Sequence, residues 1–508
     1  MQPTERSLSS PAPVTRPSAA GRSFPVENQQ WSPRLWGVLI VLGGALCLDA
    51  LDVSMVGVAL PSIRTALGLS TSSLQWIVSG YVLGYGGLLL LGGRAADLLG
   101  RRRVFLAAVA AFAVLSLLGG LTSVPGLLIG ARFLKGMAAA FTAPAGMSLL
   151  TTTFPEGPMR NRAFSIYSVF GGSGFSLGLV LSGFLTAVNW RWTLLIPAPV
   201  AVIVLAAGWW LIPRDARKSS RESSGAVATR RSFDLPGAAT VTFSMLLLVY
   251  TVVSAQQAGW ASARTIGSFV LVVVGLAAFV VIESRSRDPL MPLQIFRSAT
   301  LRRANIGAVT LFGSYVSFQF LVTQYLQSLA GWSPISTALA FLPMGVMVAL
   351  LSVGVDRMLG RFGAARLAAA AFACLAIAYA VFLRAGVTPD YPAVMLPTML
   401  LVGLAFGLGF SALSVAATDG MPDHEQGLAA SLFQTSFQVG GALVLAIVTA
   451  VVEAGGAGRV TTPAATLAAY RPALFLITGV AVIGALVAIA GLRGTADPVP
   501  VVRPALED

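Results

Sequence analysis

Apolar residues along this chain fall in separate runs of about 20, divided by short charged or Pro/Gly-containing breaks. Each run is long enough to cross a hydrocarbon core of ~30 Å as a helix. Lipid leaves the backbone no other partner than itself, so such runs must be helical. The breaks predict fourteen spans: 36–62, 75–94, 104–121, 126–150, 161–187, 192–213, 236–256, 265–283, 304–329, 335–355, 365–385, 391–416, 426–452 and 471–492. This is an all-α integral membrane pattern.

The polar breaks set the orientation. With the N-terminus in the cytoplasm, only six of the 34 basic residues fall in outside loops: Arg64, Arg191, Arg264, Arg384, Arg459 and Arg471. Two more lie inside a helix, and the rest sit on the inner side, including Arg101 to Arg103, Arg214 to Arg231, Arg285 to Arg303 and Arg357 to Arg366. That asymmetry predicts both termini in the cytoplasm.

An internal repeat adds a domain plan. Gly93-Arg94-Ala95-Ala96-Asp97-Leu98-Leu99-Gly100-Arg101-Arg102-Arg103 returns as Gly354-Val355-Asp356-Arg357-Met358-Leu359-Gly360-Arg361, each copy after an even-numbered span. A repeat of one orientation predicts two six-helix bundles related by an axis along the membrane normal. The expected division is a disordered cytoplasmic tail at 1–33, an N-terminal bundle at 34–213, linkers with an inserted two-helix hairpin at 214–303, a C-terminal bundle at 304–492 and a cytoplasmic tail at 493–508. The Ser/Pro/Arg-rich start is too long and polar for the first region of a signal peptide, so the first span serves as an uncleaved signal.

Composition narrows the function. Apolar residues make up 56% of the 508 and charged ones 11%, against roughly 25% charged in soluble domains. The net charge of +14 is spread over loops without a basic face, which argues against nucleic acid. One histidine and two dispersed cysteines give no metal or haem set, and neither Lys135 nor Lys218 follows a phosphate-binding loop. The reading is therefore no enzyme, no cofactor, no metal and no ATP.

Four charges fall deep inside the predicted spans, away from their ends: Asp49 and Asp52 on the first, Arg132 and Lys135 on the fourth. Intramembrane charges are costly and commonly functional. Each pair is spaced i,i+3 and so shares a helix face. Counting inward at ~1.5 Å per residue brings Asp52 level with Arg132, and Asp49 level with Lys135 one turn deeper. Two facing ion pairs are expected, with Asp49 the proton-exchanging site and Asp52–Arg132 the more permanent pair. A static cluster holding the two helices together is the competing reading, and Lys135 could instead meet an anionic group of a substrate. A neighbouring cation and burial act on a carboxylate in opposite senses, and the sequence leaves their balance open.

Several ordered motifs carry a family resemblance. Leu51-Asp52-Val53-Ser54-Met55-Val56-Gly57-Val58-Ala59-Leu60-Pro61, the Gly93 to Arg103 loop, Ala131-Arg132-Phe133-Leu134-Lys135-Gly136 and the glycines Gly174, Gly178 and Gly183 resemble the major facilitator superfamily. Within it they resemble the fourteen-helix drug:proton antiporters of the EmrB/QacA type, as do Trp190-Arg191-Trp192, Gln327 to Pro334 and Gly427 to Gly441. The likeness runs from about 36 to 492. The chain departs from the family pattern at Lys135, where Gln is usual, at Leu179, where the antiporter motif has Pro, and at Gly57, where Asn is usual.

The resemblance implies a major facilitator fold and a proton-coupled secondary transporter. Its substrates would be amphipathic drugs, antibiotics or other toxic small molecules, exported by alternating access from a multi-pass position in a bacterial inner membrane. Uptake or metabolite exchange by the same fold is the alternative that Leu179 keeps open, and lipid translocation a further one. The expected partners are substrate, protons and lipid, with the chain a monomer. Asp49, Asp52 and Arg132 are the expected coupling residues. Lys135, Trp76, Tyr81, Tyr85, Gln319, Gln324, Gln434 and Gln438 are candidates for the cavity wall, although the glutamines could equally bond helix to helix. Gly93, Asp97, Gly100, Arg101, Arg102, Asp356, Arg357, Gly174 and Gly178 are candidates for a conformational gate. For Gly174 and Gly178 the plainer reading is close helix packing, and for the arginines it is anchoring on the positive-inside face.

Overall fold

The computed structural model describes residues 31–154, 158–213, 235–286, 293–421, 423–456 and 462–493. The expected tails, apart from residues 31–33 and 493, and most of the basic linker lie outside them. So do the side chains of Asp97 and Asp356.

The first half of the chain forms α1 (Pro33–Leu67), α2 (Thr71–Leu99), α3 (Arg101–Leu121), α4 (Pro125–Thr153), α5 (Pro158–Val188), α6 (Arg191–Leu195) and α7 (Pro197–Leu211). A helical pair, α8 (Leu235–Ala258) and α9 (Ala263–Arg285), separates these from α10 (Ala299–Thr323), α11 (Pro334–Phe362), α12 (Ala364–Phe382), α13 (Leu396–Thr418), α14 (Asp423–Ala454) and α15 (Pro463–Arg493). A π-helical turn, Gln324–Leu329, continues α10, and another, Tyr391–Met395, leads into α13. No strand occurs among the described residues.

Local chemistry places the helix ends. Ser32, Ser70, Ser262, Ser298 and Ser333 each accept a hydrogen bond from a first-turn backbone N–H, supplying an acceptor for an otherwise orphaned donor. Proline opens α1, α4, α7 and α11, where its missing N–H costs nothing. Gly68 ends α1 at φ +62°, a left-handed conformation open to glycine without strain.

Among the described residues, twelve helical segments are long and apolar enough to cross a membrane. They are α1, α3, α4, α5 from Val169, the joined α6–α7, α9, α10 with its π turn, α11, α12, α13 with its π turn, α14 and α15. The apolar stretch of α8, Pro236–Val252, is shorter, and α2 is not among the twelve.

Packing divides these helices into two bundles. In the first, α1 lies on α5 and α7, and α4 lies on α2 and α3; in the second, α10 lies on α13, α14 and α15, and α12 on α13 and α15. The bundles meet along two seams, α5 against α11 and α2 against α14. Both bundles bring one helix pair into backbone contact. A Cβ on Gly136 of α4 would strike the Tyr81 carbonyl of α2, and one on Gly403 of α13 would strike the Met344 carbonyl of α11. The hairpin lies outside this pair of bundles: α8 packs on both α2 and α14, across one seam, and α9 packs on α8.

The Gly136 contact gives a direct prediction. Gly136→Val forces α4 off α2 and is expected to cost at least the ~1–3 kcal/mol of an overpacked core. Gly130→Val, where an added Cβ meets nothing within 4 Å, is the control. The thermal midpoint in detergent should fall for the first and hold for the second.

Candidate functional site

Asp49 and Asp52 lie half-way along α1, at 4% and 0% exposure, and Arg132 and Lys135 on α4 are buried to 3% and 1%. Sequence spacing brings these four residues together as expected, but the pairing differs. Both cations bind one carboxylate: Arg132 Nη1 donates to Asp52 Oδ2, and Lys135 Nζ donates to Asp52 Oδ1 at 2.5 Å. The expected Asp49–Lys135 pair is not formed. Asp49 Oδ2 is buried without a hydrogen-bond partner.

The rest of each cation is also engaged. Arg132 Nε donates to the Ile77 carbonyl of α2 at 3.1 Å, and its guanidinium stands 4.5 Å from the Tyr81 ring centroid. Lys135 Nζ donates to Ser116 Oγ of α3 at 2.8 Å and lies 4.4 Å from the Phe112 ring centroid. These partners come from α2 and α3, so they fix the α4 side chains on the Asp52 side. Gly84, Gly92 and Gly136 hold α4 against α2 at backbone distance and thereby set the register of the pair. Lys135 is thus a member of the ionic cluster, enclosed within the first bundle. Asp49 is left near Tyr85 of α2 and Tyr167 of α5, both close enough to feel its charge.

Across the bundle interface a different surface faces this cluster. Gln319 of α10 stands against Gly57 of α1, and Gln438 of α14 against Gly86 of α2. Tyr85 and Gln434 are hydrogen-bonded across the same seam. Gln319 Nε2, Gln324 Oε1, Gln438 Oε1 and the hydroxyls of Tyr81 and Tyr315 are buried without partners. Buried polar atoms normally find a partner; of these exceptions Gln319, Gln438 and Tyr315 lie where the two bundles meet. Trp76, by contrast, lies against the inserted hairpin. Its ring lies 6.1 Å from Tyr250 of α8, and the two share a separate pocket of about 320 Å³ with Ser254, Ala258 and Arg264.

The sequence reading missed the aromatic half of this surface. Phe312 and Phe437 stack at 4.0 Å, Tyr315 and Phe406 lie at 4.3 Å, and Phe175 of α5 reaches both Tyr315 and Phe406. Phe410 and Phe433 extend the group along α13 and α14. The signal was the i,i+4 spacing of Phe406 with Phe410 and of Phe433 with Phe437, beside Gln434 and Gln438 at the same spacing. Ser116 gave no such signal.

The expected gate residues separate into two kinds. Gly174 and Gly178 fasten α5 onto α1, where a Cβ would meet the Cys47 and Leu51 carbonyls, so close packing is what the structure assigns to them. Gly93 lies in ordinary contact with Pro144, and Gly100 turns the chain from α2 into α3 at φ +98°. Arg102 does not face solvent: it donates to the Ile212 and Trp209 carbonyls at 3.0 and 2.6 Å and covers the Trp209 ring. It thereby ties the start of α3 to the end of α7. Arg101 is half-buried and Arg357 exposed.

Contacts between the bundles are found at the end carrying the α1–α2 and α3–α4 loops. Gln327 Nε2 donates to the Val58 carbonyl at 3.0 Å, Thr449 Oγ1 donates to Gln75 Oε1 at 2.6 Å, and Gly183 lies against Pro334 and Ala338. A surface vestibule of about 850 Å³, lined by Arg64, Thr65, Gln327 and Trp332, opens above them. Among the described residues no group of His, Cys, Asp or Glu could hold a metal ion.

The sequence profile described as Major Facilitator Superfamily matches residues 42–445. The chain is 36% identical over 487 residues to the puromycin resistance protein pur8 of Streptomyces alboniger, covering 92% of this chain and 93% of that one. It is 35% identical to the cephamycin export protein CmcT of Amycolatopsis lactamdurans, covering 83% and 85%. It is 32% identical to the tetracenomycin C resistance and export protein of Streptomyces glaucescens, covering 82% and 75%. Among solved structures, the POT family transporter PepTSo superposes with a TM-score of 0.63 at 17% identity, over 90% of this chain and 98% of that one, a likeness of fold.

Proposed function

The chain belongs to the Major Facilitator Superfamily, and from that premise we propose that it exports amphipathic antibiotics or other toxic small molecules in exchange for protons, by alternating access. The observation that carries the coupling is the inequality of two carboxylates one helical turn apart. Asp52 has two cations to balance it. Asp49 has none, and an ionised carboxylate buried without a partner costs several kcal/mol. A proton arriving at Asp49 removes that cost, so the site can load and unload as its access to either face changes.

Export is supported by the relatives, two of which are named for export and two for resistance to an antibiotic. The interface of stacked rings and unpaired amides suits substrates with an aromatic body and a few polar groups. In this reading all fourteen helical passes cross the membrane, α2 and α8 included, as six, two and six. Both termini lie in the cytoplasm of a bacterium, the chain works as a monomer in the inner membrane, and the proton gradient drives it without ATP. The basic loops between α2 and α3 and between α11 and α12 support that orientation.

Inside-out proteoliposomes with an acid lumen and labelled puromycin outside test the reading. The compound should accumulate in the lumen as protons leave, and the accumulation should vanish when an ionophore collapses the gradient. Movement of puromycin in the same direction as the proton would replace export with uptake. Expression in a drug-sensitive host, scored over puromycin, cephamycin, lincomycin and tetracenomycin, should raise tolerance to at least one of them.

A further inference from the structure

Ser116 is the one uncharged side chain hydrogen-bonded to the cation cluster among the described residues. It lies on α3, is 1% exposed, and was not singled out by any charge or motif. Its hydroxyl donates to the Leu194 carbonyl at 2.6 Å, and its oxygen accepts from Lys135 Nζ at 2.8 Å. Leu194 sits next to a break in the sixth pass: α6 ends at Leu195, and α7 begins at Pro197, which has no backbone N–H to continue the ladder. A hydroxyl committed as donor on one side presents its lone pairs to the other. Ser116 is therefore an acceptor aimed at the lysine and anchored by backbone.

We propose that Ser116 is a positioning residue for proton coupling: it holds Lys135 on Asp52 and so withholds the amine from Asp49. The inference rests on the reading of Asp49 as the proton-exchanging group. An ammonium has three donors. Here one goes to Asp52, one to Ser116, and the charge also faces the Phe112 ring. Without the Ser116 oxygen, one N–H loses its acceptor in a buried place. The unpartnered acceptor on offer within reach of its charge is Asp49 Oδ2. The groups facing Asp49 are Cys47 and Asp52 from α1, Tyr81 and Tyr85 from α2, Lys135 from α4 and Tyr167 from α5. Of these only Lys135 can neutralise it, and the other cation of the cluster, Arg132, is held by Asp52 and the Ile77 carbonyl. Freeing Lys135 is then the way to give Asp49 a counter-ion, which makes its proton harder to gain.

The test uses full-length protein in proteoliposomes with puromycin, comparing wild type, Ser116→Ala, Ser116→Cys and Ser116→Thr. Two rates are read: exchange of labelled for unlabelled puromycin without a gradient, and gradient-driven accumulation as a function of pH. Ser116→Ala should keep the exchange rate while its pH profile moves towards acid by about one unit. Ser116→Cys, nearly the same shape with a weak acceptor, should move the same way by less, and covers the case in which the alanine variant does not fold. Ser116→Thr keeps the oxygen and should restore the wild-type profile. Profiles of the alanine and cysteine variants that superimpose on a pH-dependent wild type overturn the proposal alone. A wild-type profile flat with pH overturns the coupling reading and this proposal with it.

Discussion

Replacing Asp52 with alanine is expected to abolish export and to destabilise the first bundle by about 3–5 kcal/mol, the cost of stripping one partner from a buried ionic group. Asp52 is the single acceptor shared by Arg132 and Lys135. Without it two cations stand three residues apart on one helix face, enclosed by α2 and α3. Asp49 lies one turn away on the same helix and can take one of them, not both. The loss should appear as a lower thermal midpoint in detergent and as the disappearance of puromycin accumulation. A midpoint within a degree or two of wild type would mean that the cluster contributes little to stability. The double variant Asp52→Leu with Lys135→Leu should recover part of the midpoint while remaining inactive, because it removes one buried charge of each sign at once.

Asp49→Asn should act in the opposite way. The amide fits the space of a protonated carboxyl, and no ion pair is lost because none is made. Stability is expected to hold or rise slightly. Gradient-driven export should fall at least ~100-fold, a figure set by losing a group on which the whole coupling step depends. Exchange of puromycin across the membrane without a gradient should continue, since the aromatic and amide surface on α10, α13 and α14 is untouched. Export driven by pH at the wild-type rate would remove Asp49 from the mechanism. The contrast between the two variants separates coupling from architecture, since one removes transport with the fold and the other removes the gradient's hold alone.

The helices were legible because lipid demands long apolar runs, and the Arg distribution marks the breaks between them, although twelve of the described segments, against fourteen expected, are long and apolar enough to cross. The hairpin was legible for the same reason, since the Arg-rich stretches on either side of it stand apart from the repeat. The location of the ionic cluster was legible too, from four charges at i,i+3 on two helices. Its pairing was not. Depth counting along each helix treats the helices as parallel rods at equal spacing. In the structure Gly84, Gly92 and Gly136 draw α4 onto α2, and the partners on α2 and α3 then decide which carboxylate both cations reach. Trp76 shows the same limit. Its position on α2 was right for a lining residue, but the face it occupies is set by Tyr250 on the inserted hairpin. Single-sequence reading gives periodicity along a helix; the azimuth at which that helix meets its neighbours comes from small residues and ring contacts on other helices.

One further property follows from placing all four charges in one enclosed cluster. Two carboxylates and two cations cancel, so the cluster has no net formal charge with Asp49 ionised. A proton on Asp49 leaves one uncompensated positive charge in the membrane interior. Membrane voltage then acts on the loaded protein and not on the unloaded one. A full elementary charge carried across the potential corresponds to about 2.3 kcal/mol per 100 mV. In the proposed cycle, whatever fraction of that field the cluster traverses as its access switches, an interior-negative cell would draw the protonated form inward and leave the deprotonated form to return without electrical work.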